Sequence, residues 1–437
     1  ANVPTSSFKQ LFRSFLPTKV IRYWFRTLGL ARRRPPHISI QELLMSLVFH
    51  VQAGAGTLSQ HVRELTGKSV TDSALSQRRS NLPWQMFETL MEETLHPKAQ
   101  QKLHPEAFYK GLLACGLDGS RFSVANTPQI KACMFKPDSR RFQAAFAKVG
   151  VAVLVELGLH NPIAAAIGPK EESEMVLSRQ VLDRLPEKSL LISDRYYGVP
   201  VLLIEFKEIH SKGQREFLVR ARKNLNRKWV ESYADGSALV EICSGKKKML
   251  VREIVGQVRR GKGAWSKVRL WTSLLDWRQH PASELLALYA YRWEQESFYR
   301  ELKVDLRSNP LVQSHTPLTA AQEIAALIMA YAILVDERIK AAKTGEMPVL
   351  RISFLKTLEA MRGLWQFLET TAGLLDERGV RLVVRRTLRR IAERAIPKRR
   401  QRSCPRALRQ PVSSWPRLLN NSYINGTAEY DLTTITA

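Results

Sequence analysis

The sequence predicts an α/β protein: a mixed sheet with helices on both faces, an inserted β segment, and helical N-terminal and C-terminal regions. Apolar runs of strand length alternate with helical patterns between positions 112 and 220, and segments of alternating polarity occupy 228–278. Most of the remaining sequence shows the apolar spacing of helices. A chain of 437 residues is too long for one ordinary core, so about two to four domains are expected.

The charge balance is strongly basic. Against 40 Asp and Glu the chain has 68 Lys and Arg, which gives a formal net charge of +28 and a pI near 10.2. This excess favours a polyanionic partner, most simply nucleic acid, over the substrates of an ordinary metabolic enzyme. An anionic membrane surface is the alternative, but no long basic amphipathic helix with a lipid-facing stripe accompanies the charge.

Targeting signals are also absent from the sequence pattern. No stretch approaches the ~20 uninterrupted apolar residues of a membrane span, and the first residues lack the apolar core and cleavage site of a signal peptide. The four cysteines are scattered without metal-ligand spacing, which favours free thiols in a reducing compartment. We therefore expect a cytoplasmic protein, associated with the DNA of the cell, and no membrane partner.

Residues 1–105 are expected to form a helical DNA-binding domain with a basic arm. The first 36 residues contain eight Lys or Arg and no acid, including Arg32–Arg34. An arm lying on DNA phosphates is one interpretation, and a merely soluble tail is the other. An apolar stripe from Ile40 to Val51, closed by Gly54, predicts the first long helix of this domain.

Two shorter helices follow, at Thr57–Leu65 and Thr71–Ser80, with a turn at Gly67. The second is polar and bears Arg78 and Arg79. A helix, a glycine turn and a polar helix with arginines are typical of a helix-turn-helix motif that binds the major groove. Small helical bundles share this pattern, so the motif alone does not decide the function.

Residues 106–227 are predicted to form the first part of the sheet. Leu112–Leu117 predict a strand that ends at Asp118, Arg121–Asn126 a strand that returns beside it, and Val149–Leu157 a third. The later elements are a helix at Ser173–Leu185, a strand at Leu190–Ser193 that leads into Asp194, a helix at Val201–Ile209 and a strand at Phe217–Arg220.

The second half of the chain is divided by composition. Residues 228–278 are expected to form an inserted β subdomain with a basic edge. Residues 279–345 are expected to complete the core of the sheet domain and to include a strongly apolar helix. Residues 346–396 are expected to be a basic helical C-terminal domain, and 397–437 a basic, flexible tail. Between Arg378 and Arg409 there are thirteen Lys or Arg and one acid.

The most informative stretch is YAYRWEQESFYRELK, from Tyr289 to Lys303. It contains no Gly or Pro and predicts a helix. On a 3.6-residue turn, Tyr289, Arg292, Glu296 and Lys303 fall within roughly 60° of one another. A carboxylate beside a phenol, a guanidinium and an ammonium suits a metal held next to phosphates. A solvated helix with ordinary i,i+4 ion pairs is the alternative.

The spacing Y-x2-R-x3-E-x6-K resembles the signature of bacterial cut-and-paste transposases of insertion-sequence family four, and all four positions match. The resemblance extends back to about Leu112 and more loosely over the first hundred residues. It implies membership of the DDE group, whose catalytic core is RNase H-like, as in retroviral integrase. The predicted order of three strands, helix, strand, helix and strand agrees with that fold.

The carboxylates that follow two predicted strands extend this interpretation. In the RNase H-like order the strands that precede Asp118 and Asp194 are neighbours, so both side chains are expected to meet Glu296 and form a site for two divalent cations. Hard oxygen ligands select Mg²⁺, with Mn²⁺ as a substitute. Asp118 before a glycine is otherwise a turn residue, and Asp194 a helix cap. The family pattern has Gly where Tyr196 stands here.

The resemblance also implies roles for the other motif residues. Tyr289, Arg292 and Lys303 are expected to hold backbone phosphates near the cleaved transposon end. Relatives stack a flipped base on an aromatic side chain of the inserted subdomain. Trp265 and Trp271 are the candidates here, and a core tryptophan is the alternative for each.

Together these features predict a cut-and-paste transposase. It would act as a homodimer in a paired-end complex, bind double-stranded DNA at terminal inverted repeats, cleave the ends through a hairpin intermediate and join the 3′ ends to target DNA. Two alternatives remain at the level of sequence. One is a non-catalytic, sequence-specific DNA-binding protein, and the other is an RNase H-like junction nuclease.

Overall fold

The computed structural model describes residues 8–30, 37–134, 146–170, 172–222, 224–260, 265–307 and 311–397, and short strands between 402 and 432. Several sequence predictions lie outside these ranges. They are the basic run Arg32–Arg34, residues 261–264 of the predicted β insertion and much of the tail after Pro397.

The described residues between 8 and 94 form six helices in the N-terminal region. They are α1 (Phe8–Phe15), α2 (Thr18–Thr27), α3 (Ile40–Ala53), α4 (Leu58–Thr66), α5 (Asp72–Ser80) and α6 (Trp84–Thr94). The three helices predicted between 38 and 80 are confirmed as α3, α4 and α5. Gly54 and Gly67 end α3 and α4 with φ of +85° and +72°, a conformation that glycine adopts without strain. Thr71 caps α5 by accepting a hydrogen bond from the Ala74 amide.

The catalytic-core region has the predicted RNase H-like order. Its elements are β1 (Phe108–Tyr109), β2 (Leu112–Ser123), α7 (Pro128–Cys133), β3 (Lys148–Glu156), β4 (Asn161–Gly168), α8 (Glu174–Leu182), β5 (Ser189–Gly198), α9 (Pro200–Ile209) and β6 (Arg215–Ala221). The five long strands lie in the order β4-β3-β2-β5-β6. β2, β3 and β4 are antiparallel neighbours, whereas β5 runs parallel to both β2 and β6.

The predicted return strand at Arg121–Asn126 is wrong. β2 continues through Asp118 to Ser123, and it stays hydrogen-bonded to β3 along this length, with Asp118 opposite Val153. Gly119 therefore lies inside a strand and not in a turn. The true third strand is β4, whose NPIAAAIG sequence has too little β-branched or aromatic character to be recognised by propensity.

The insertion extends this sheet. Its strands are β7 (Lys228–Ser232), β8 (Ala238–Ser244), β9 (Lys247–Arg260) and β10 (Ser266–Thr272). β10 pairs antiparallel with β6, for example Trp271 with Val219, and the order continues β6-β10-β9-β8-β7. The predicted β insertion is thus present, and it is continuous with the core sheet.

The remaining helices complete the fold. They are α10 (Ala282–Leu288), a 3₁₀ turn (Tyr289–Arg292), α11 (Trp293–Arg300), a π-helical segment (Glu301–Leu306), α12 (Pro317–Thr344), α13 (Phe354–Thr370) and α14 (Glu377–Glu393). Five short strands follow: β11 (Arg402–Ser403), β12 (Ala407–Arg409), β13 (Pro416–Leu418), β14 (Ile424–Asn425) and β15 (Ala428–Leu432), of which β15 pairs with β9.

The central helix α12 is apolar on almost every side. Among the described residues it is the one helix long and apolar enough to cross a membrane by composition, but 89% of its most apolar window is buried inside the protein. It contacts α3 and α6 on one side and α13 and α14 on another. The helices from the two ends of the chain therefore share one hydrophobic core with this helix.

A buried ionic network fixes the segment that follows α11. The Glu301 carboxylate lies 2.8 Å from Nδ1 of His160, accepts a hydrogen bond from the Tyr331 hydroxyl at 2.6 Å and lies 3.2 Å from Nη1 of Arg338. Nε2 of His160, in the β3–β4 connection, lies 2.8 Å from Glu294. Burial opposes ionisation of Glu301, but Arg338 and His160 outweigh it and hold the pKa of this carboxyl well below its usual range.

We expect Glu301→Gln to lower the free energy of unfolding by about 3–5 kcal/mol, because it leaves the fully buried Arg338 without its counter-charge. The matched control is Glu377→Gln, which removes an exposed carboxylate paired with Arg381 and should change this free energy by less than about 0.5 kcal/mol. Urea unfolding followed by circular dichroism measures both. Equal midpoints for the two variants would contradict the structural role assigned to Glu301.

Candidate active site

Asp118 and Asp194 lie side by side on neighbouring parallel strands. β2 and β5 pair from Leu113 opposite Ser189 to Leu117 opposite Ser193, and the next residue on each strand is an aspartate. Residues at the same level of adjacent strands point to the same face of a sheet. The predicted proximity of the two strand positions is therefore correct, although both strands run beyond them.

The surroundings of Asp118 are unusually negative. Burial, followed by the carboxylates of Asp194 and Glu174, raises the pKa of Asp118 to about 7. The Gly119 amide, which donates to Oδ1 of Asp118 at 2.9 Å, and the Arg292 guanidinium oppose this effect. A partly buried carboxyl with too little positive charge around it favours the binding of a cation.

Glu174 is a member of this site that the sequence analysis missed. It stands in the first turn of α8, which Ser173 caps, and its Oε1 accepts a hydrogen bond from the Tyr197 hydroxyl at 2.9 Å. Its carboxylate lies against Gly119, where a Cβ atom would come within 2.3 Å of the Glu174 Cδ. Burial raises the pKa of Glu174, and Asp194 acts in the same direction.

The absence of a side chain at Gly119 is the signal that could have revealed this contact. A glycine inside a strand often marks a place where another part of the protein comes close to the strand backbone. Here that place is directly after Asp118. The partner could not be identified from the sequence, because the helix that supplies Glu174 begins 55 positions later.

The predicted helix from Tyr289 to Lys303 is divided into the 3₁₀ turn, α11 and the π-helical segment, and α11 crosses the sheet at Asp118. The Tyr299 hydroxyl donates to the Asp118 carbonyl at 2.7 Å, and Nε2 of Gln295 donates to the Val153 carbonyl of β3 at 3.2 Å. Phe298 is fully buried between these two anchors. These contacts fix the height and rotation of α11 over β2 and β3.

The four motif residues face this site. Burial raises the pKa of Tyr289 to about 12, and the carboxylates of Asp194 and Glu296 add to the effect while Arg292 opposes it. The Tyr289 phenol therefore lies in the electrostatic neighbourhood of both carboxylates. Lys303, further along the helix, donates to Ser120 Oγ at 3.1 Å and to the Arg121 carbonyl at 2.8 Å on β2.

Glu296 of α11 is paired with a cation from the preceding 3₁₀ turn. Nη2 of Arg292 lies 2.8 Å from its Oε1, and the Glu296 side chain is 46% exposed. Tyr289, Glu296 and Asp118 together outweigh the effect of burial and raise the pKa of Arg292. Arg292 is thus paired with Glu296 and within electrostatic reach of Asp118.

The donor chemistry fits divalent cations, but the three predicted ligands do not form one closed cluster. Within the described ranges, no three His, Cys, Asp or Glu side chains are close enough to hold an ion between them. Asp118 and Asp194 present hard carboxylate oxygens with an excess of negative charge, which is the environment that Mg²⁺ and Mn²⁺ prefer. Glu296 faces the same region and is neutralised by Arg292.

Two of the predicted DNA contacts have other roles in the structure. Nη2 of Arg79 donates to Ser314 Oγ at 3.0 Å and to the Thr319 carbonyl at 2.9 Å, so this guanidinium fastens α5 to the start of α12. Trp271 is fully buried, and its Nε1 donates to Glu253 at 2.9 Å. The predicted contacts of Arg79 and Trp271 with DNA are wrong, because each side chain is held by hydrogen bonds within the protein.

The other two candidates remain at the surface. Arg78 is half-buried on α5 and takes part in interactions within the protein. Trp265 is 40% exposed, and the Arg259 guanidinium lies 4.8 Å from the centre of its ring. Trp265 thus lies at the surface directly before β10, with the Arg259 guanidinium over its ring.

Comparison with known proteins agrees with this geometry. Residues 117–333 match the family of the transposase DDE domain. The transposase InsG for insertion sequence element IS4 of Escherichia coli (strain K12) is 26% identical over 363 residues, which cover 79% of this chain and 78% of that protein. The putative transposase InsZ of the same strain is 25% identical over 161 residues, 36% of this chain and 52% of that protein.

A solved structure is also similar. It is a piggyBac transposase synaptic complex with hairpin DNA, 11% identical, with 88% of this chain and 86% of that chain covered and a TM-score of 0.41. The match to the transposase DDE domain spans the strands that carry both aspartates and the helix that carries Glu296. The chain belongs to the DDE transposases of bacterial insertion-sequence family four.

Proposed function

We propose that this DDE transposase excises its element by cut-and-paste transposition, binding the terminal inverted repeats, cleaving the ends and joining the 3′ hydroxyls to target DNA. The observation that carries the proposal is the register of β2 and β5, which brings Asp118 and Asp194 together under the helix that presents Glu296. End processing through a hairpin and a homodimeric paired-end complex belong to the same proposal. So does a cytoplasmic location, where the DNA substrate lies.

Asp118, Asp194 and Glu296 would hold two Mg²⁺ ions, or Mn²⁺ in their place. The excess negative charge at Asp118 supports this assignment. When bound, such ions supply an activated nucleophilic oxygen and neutralise the leaving oxygen of an in-line phosphoryl displacement. Glu174 supports the arrangement by holding Gly119 and the β2 backbone close to α8.

Arg292 would exchange its acidic partner for a DNA phosphate when DNA binds. In the protein without DNA it neutralises Glu296. A backbone phosphate offers the planar guanidinium a bidentate partner, so DNA binding would draw Arg292 away and free the Glu296 carboxylate. Tyr289 would donate to the same phosphate region, and Lys303, now held by β2 oxygens, would contact the next part of the strand.

DNA ends would be recognised outside this site. α5, with the exposed Ser73, Ser76 and Gln77, presents a polar surface suited to major-groove contacts. Arg79 is excluded from that surface, and Arg78 lies at its edge. Trp265, which directly precedes β10, would provide a face for stacking a displaced base.

Replacing the carboxylates tests the proposal directly. Asp118→Asn and Glu296→Gln should each reduce Mg²⁺-dependent cleavage of a terminal-repeat duplex by more than about 100-fold. Each variant removes a negative charge that would hold the cations, and these cations stabilise the charge that develops in the transition state. Binding of the same DNA in EDTA should be retained. Asp183→Asn, an exposed carboxylate after α8, is the matched control and should cleave normally. Normal cleavage by either of the first two variants, or no release of a 3′ hydroxyl by the unaltered protein, would refute it.

Arg292, at the end of the 3₁₀ turn, and Arg300, at the end of α11, form a second matched pair. Arg292→Lys should slow cleavage by about 10-fold or more, since a single ammonium cannot replace a bidentate guanidinium beside a phosphate. Arg300→Lys should have no effect, because this side chain is 64% exposed and pairs only loosely with Asp305, at 3.7 Å. Single-turnover rates on a terminal-repeat substrate distinguish the two. Equal rates would remove Arg292 from the phosphate-binding role.

A further inference from the structure

We propose that the exposed face of α14 is a second DNA-binding surface, which holds the phosphate backbone of duplex DNA of any sequence. This inference rests on the proposed function, because it assigns another contact to the same DNA substrate. We call the surface the arginine face. It consists of Arg378, Arg385, Arg386, Arg389 and Arg390, all of which are exposed.

The five guanidinium groups lie in two rows along the helix. Arg378, Arg385 and Arg389 form one row, and Arg386 and Arg390 form the other. Residues four apart in a helix are separated by about 6 Å along the axis. Among the residues that the structure describes, none of the five is paired with a carboxylate. Their charge is therefore directed to the solvent, and Glu393 in the last turn offsets only a small part of it.

The arginine face is presented on a rigid support. Val384 and Ile391 are buried on the opposite side of α14, which packs on α12 and α13. The first turn is capped by Asp376, which accepts a hydrogen bond from the Gly379 amide at 2.7 Å. Because the backbone is already ordered, binding does not have to fold this helix, which lowers the entropic cost of forming several contacts.

The composition of this face fits a DNA backbone better than base edges. Guanidinium groups bind phosphate oxygens bidentately, whereas reading a base sequence depends on a mixture of side chains such as Asn, Gln and Arg. The face offers repeated arginines, with Leu382 as the exposed apolar side chain between the rows. A surface of this kind binds duplexes through charge and with strong dependence on salt.

The arginine face is linked to the candidate active site through packed helices. α14 packs on α13, and α13 contacts the π-helical segment Glu301–Leu306 that continues α11. DNA held on this face is thus attached to the layer of helices that supports Glu296. Target DNA and DNA flanking the element both have to be held irrespective of their sequence, and a backbone-binding surface meets that need.

The test compares two variants with the same loss of charge. In the first, four residues of the arginine face are replaced: Arg385→Gln, Arg386→Gln, Arg389→Gln and Arg390→Gln. In the second, four exposed cations that are paired with carboxylates are replaced: Arg179→Gln, Lys247→Gln, Lys356→Gln and Arg381→Gln.

Binding of a fluorescent duplex without terminal repeats is measured by anisotropy, in EDTA, between about 50 and 200 mM NaCl. For the arginine-face variant, the slope of log K against log salt should become shallower by about 0.9 for each DNA phosphate that the protein no longer neutralises, or roughly 2 to 4 in total. The control variant should keep the slope of the unaltered protein. An unchanged slope in the first variant, or the same change in both, overturns the proposal.

Two further measurements complete the test. If the fourfold variant has a lowered thermal midpoint, the pairs Arg385→Gln/Arg389→Gln and Arg386→Gln/Arg390→Gln should each give about half of the slope change, and no change in either pair overturns the proposal. Binding to vesicles of equal parts phosphatidylcholine and phosphatidylserine tests a lipid partner. Loss of vesicle binding with unchanged DNA binding overturns the proposal in favour of a membrane surface.

The result is independent of the proposed chemistry. If the unaltered protein shows the expected salt slope but does not cleave terminal-repeat DNA with Mg²⁺, the proposed function fails while the arginine face stands. If cleavage depends on Asp118 and Glu296 but the slope is the same in every variant, the arginine face fails and the active site stands.

Discussion

The parallel hydrogen-bond ladder between β2 and β5 is the constraint on which the candidate active site depends. It places Asp118 and Asp194 at the same level and on the same face of the sheet. A shift of one strand by a single residue would send one carboxylate to the opposite face. The helix above is tied to this same level, because Tyr299 donates to the carbonyl of Asp118 itself. Backbone register therefore determines both the separation of the aspartates and the position of the helix that carries Glu296.

The sequence was most informative where a local pattern and a functional requirement coincide. The apolar runs before Asp118 and Asp194 were sufficient to predict the two strands, and the resemblance to the RNase H-like order predicted that they are neighbours. The fifteen-residue motif predicted a helical segment, which the structure divides into a 3₁₀ turn, α11 and a π-helical segment. The same reasoning failed at Gly119, because a glycine after an aspartate is typical of a turn. Here the glycine is required by the close approach of Glu174, a long-range contact that no local pattern records.

Side-chain roles were harder to predict than positions. Arg79 and Trp271 belong to residue types that are common in DNA interfaces, but each is held by hydrogen bonds inside the protein. The network around Glu301 was likewise invisible in the sequence, since His160 precedes β4 whereas Tyr331 and Arg338 lie on α12, far along the chain. Burial and pairing depend on the complete fold. Residue type and spacing do not contain that information.

Helices from the N-terminal and C-terminal regions pack in one hydrophobic core, so the N-terminal helices cannot complete their packing without the later ones. Phe8 and Phe49 pack against Trp365 of α13, with ring centroids 5.2 and 6.4 Å apart, and the Arg362 guanidinium donates to the carbonyl of Gln52 at the end of α3. During synthesis the amino-terminal helices emerge long before these partners do. Their apolar sides stay exposed to solvent until translation has passed α13. A polypeptide truncated before that point would therefore be an incomplete helical bundle that tends to aggregate, and not an independent DNA-binding fragment.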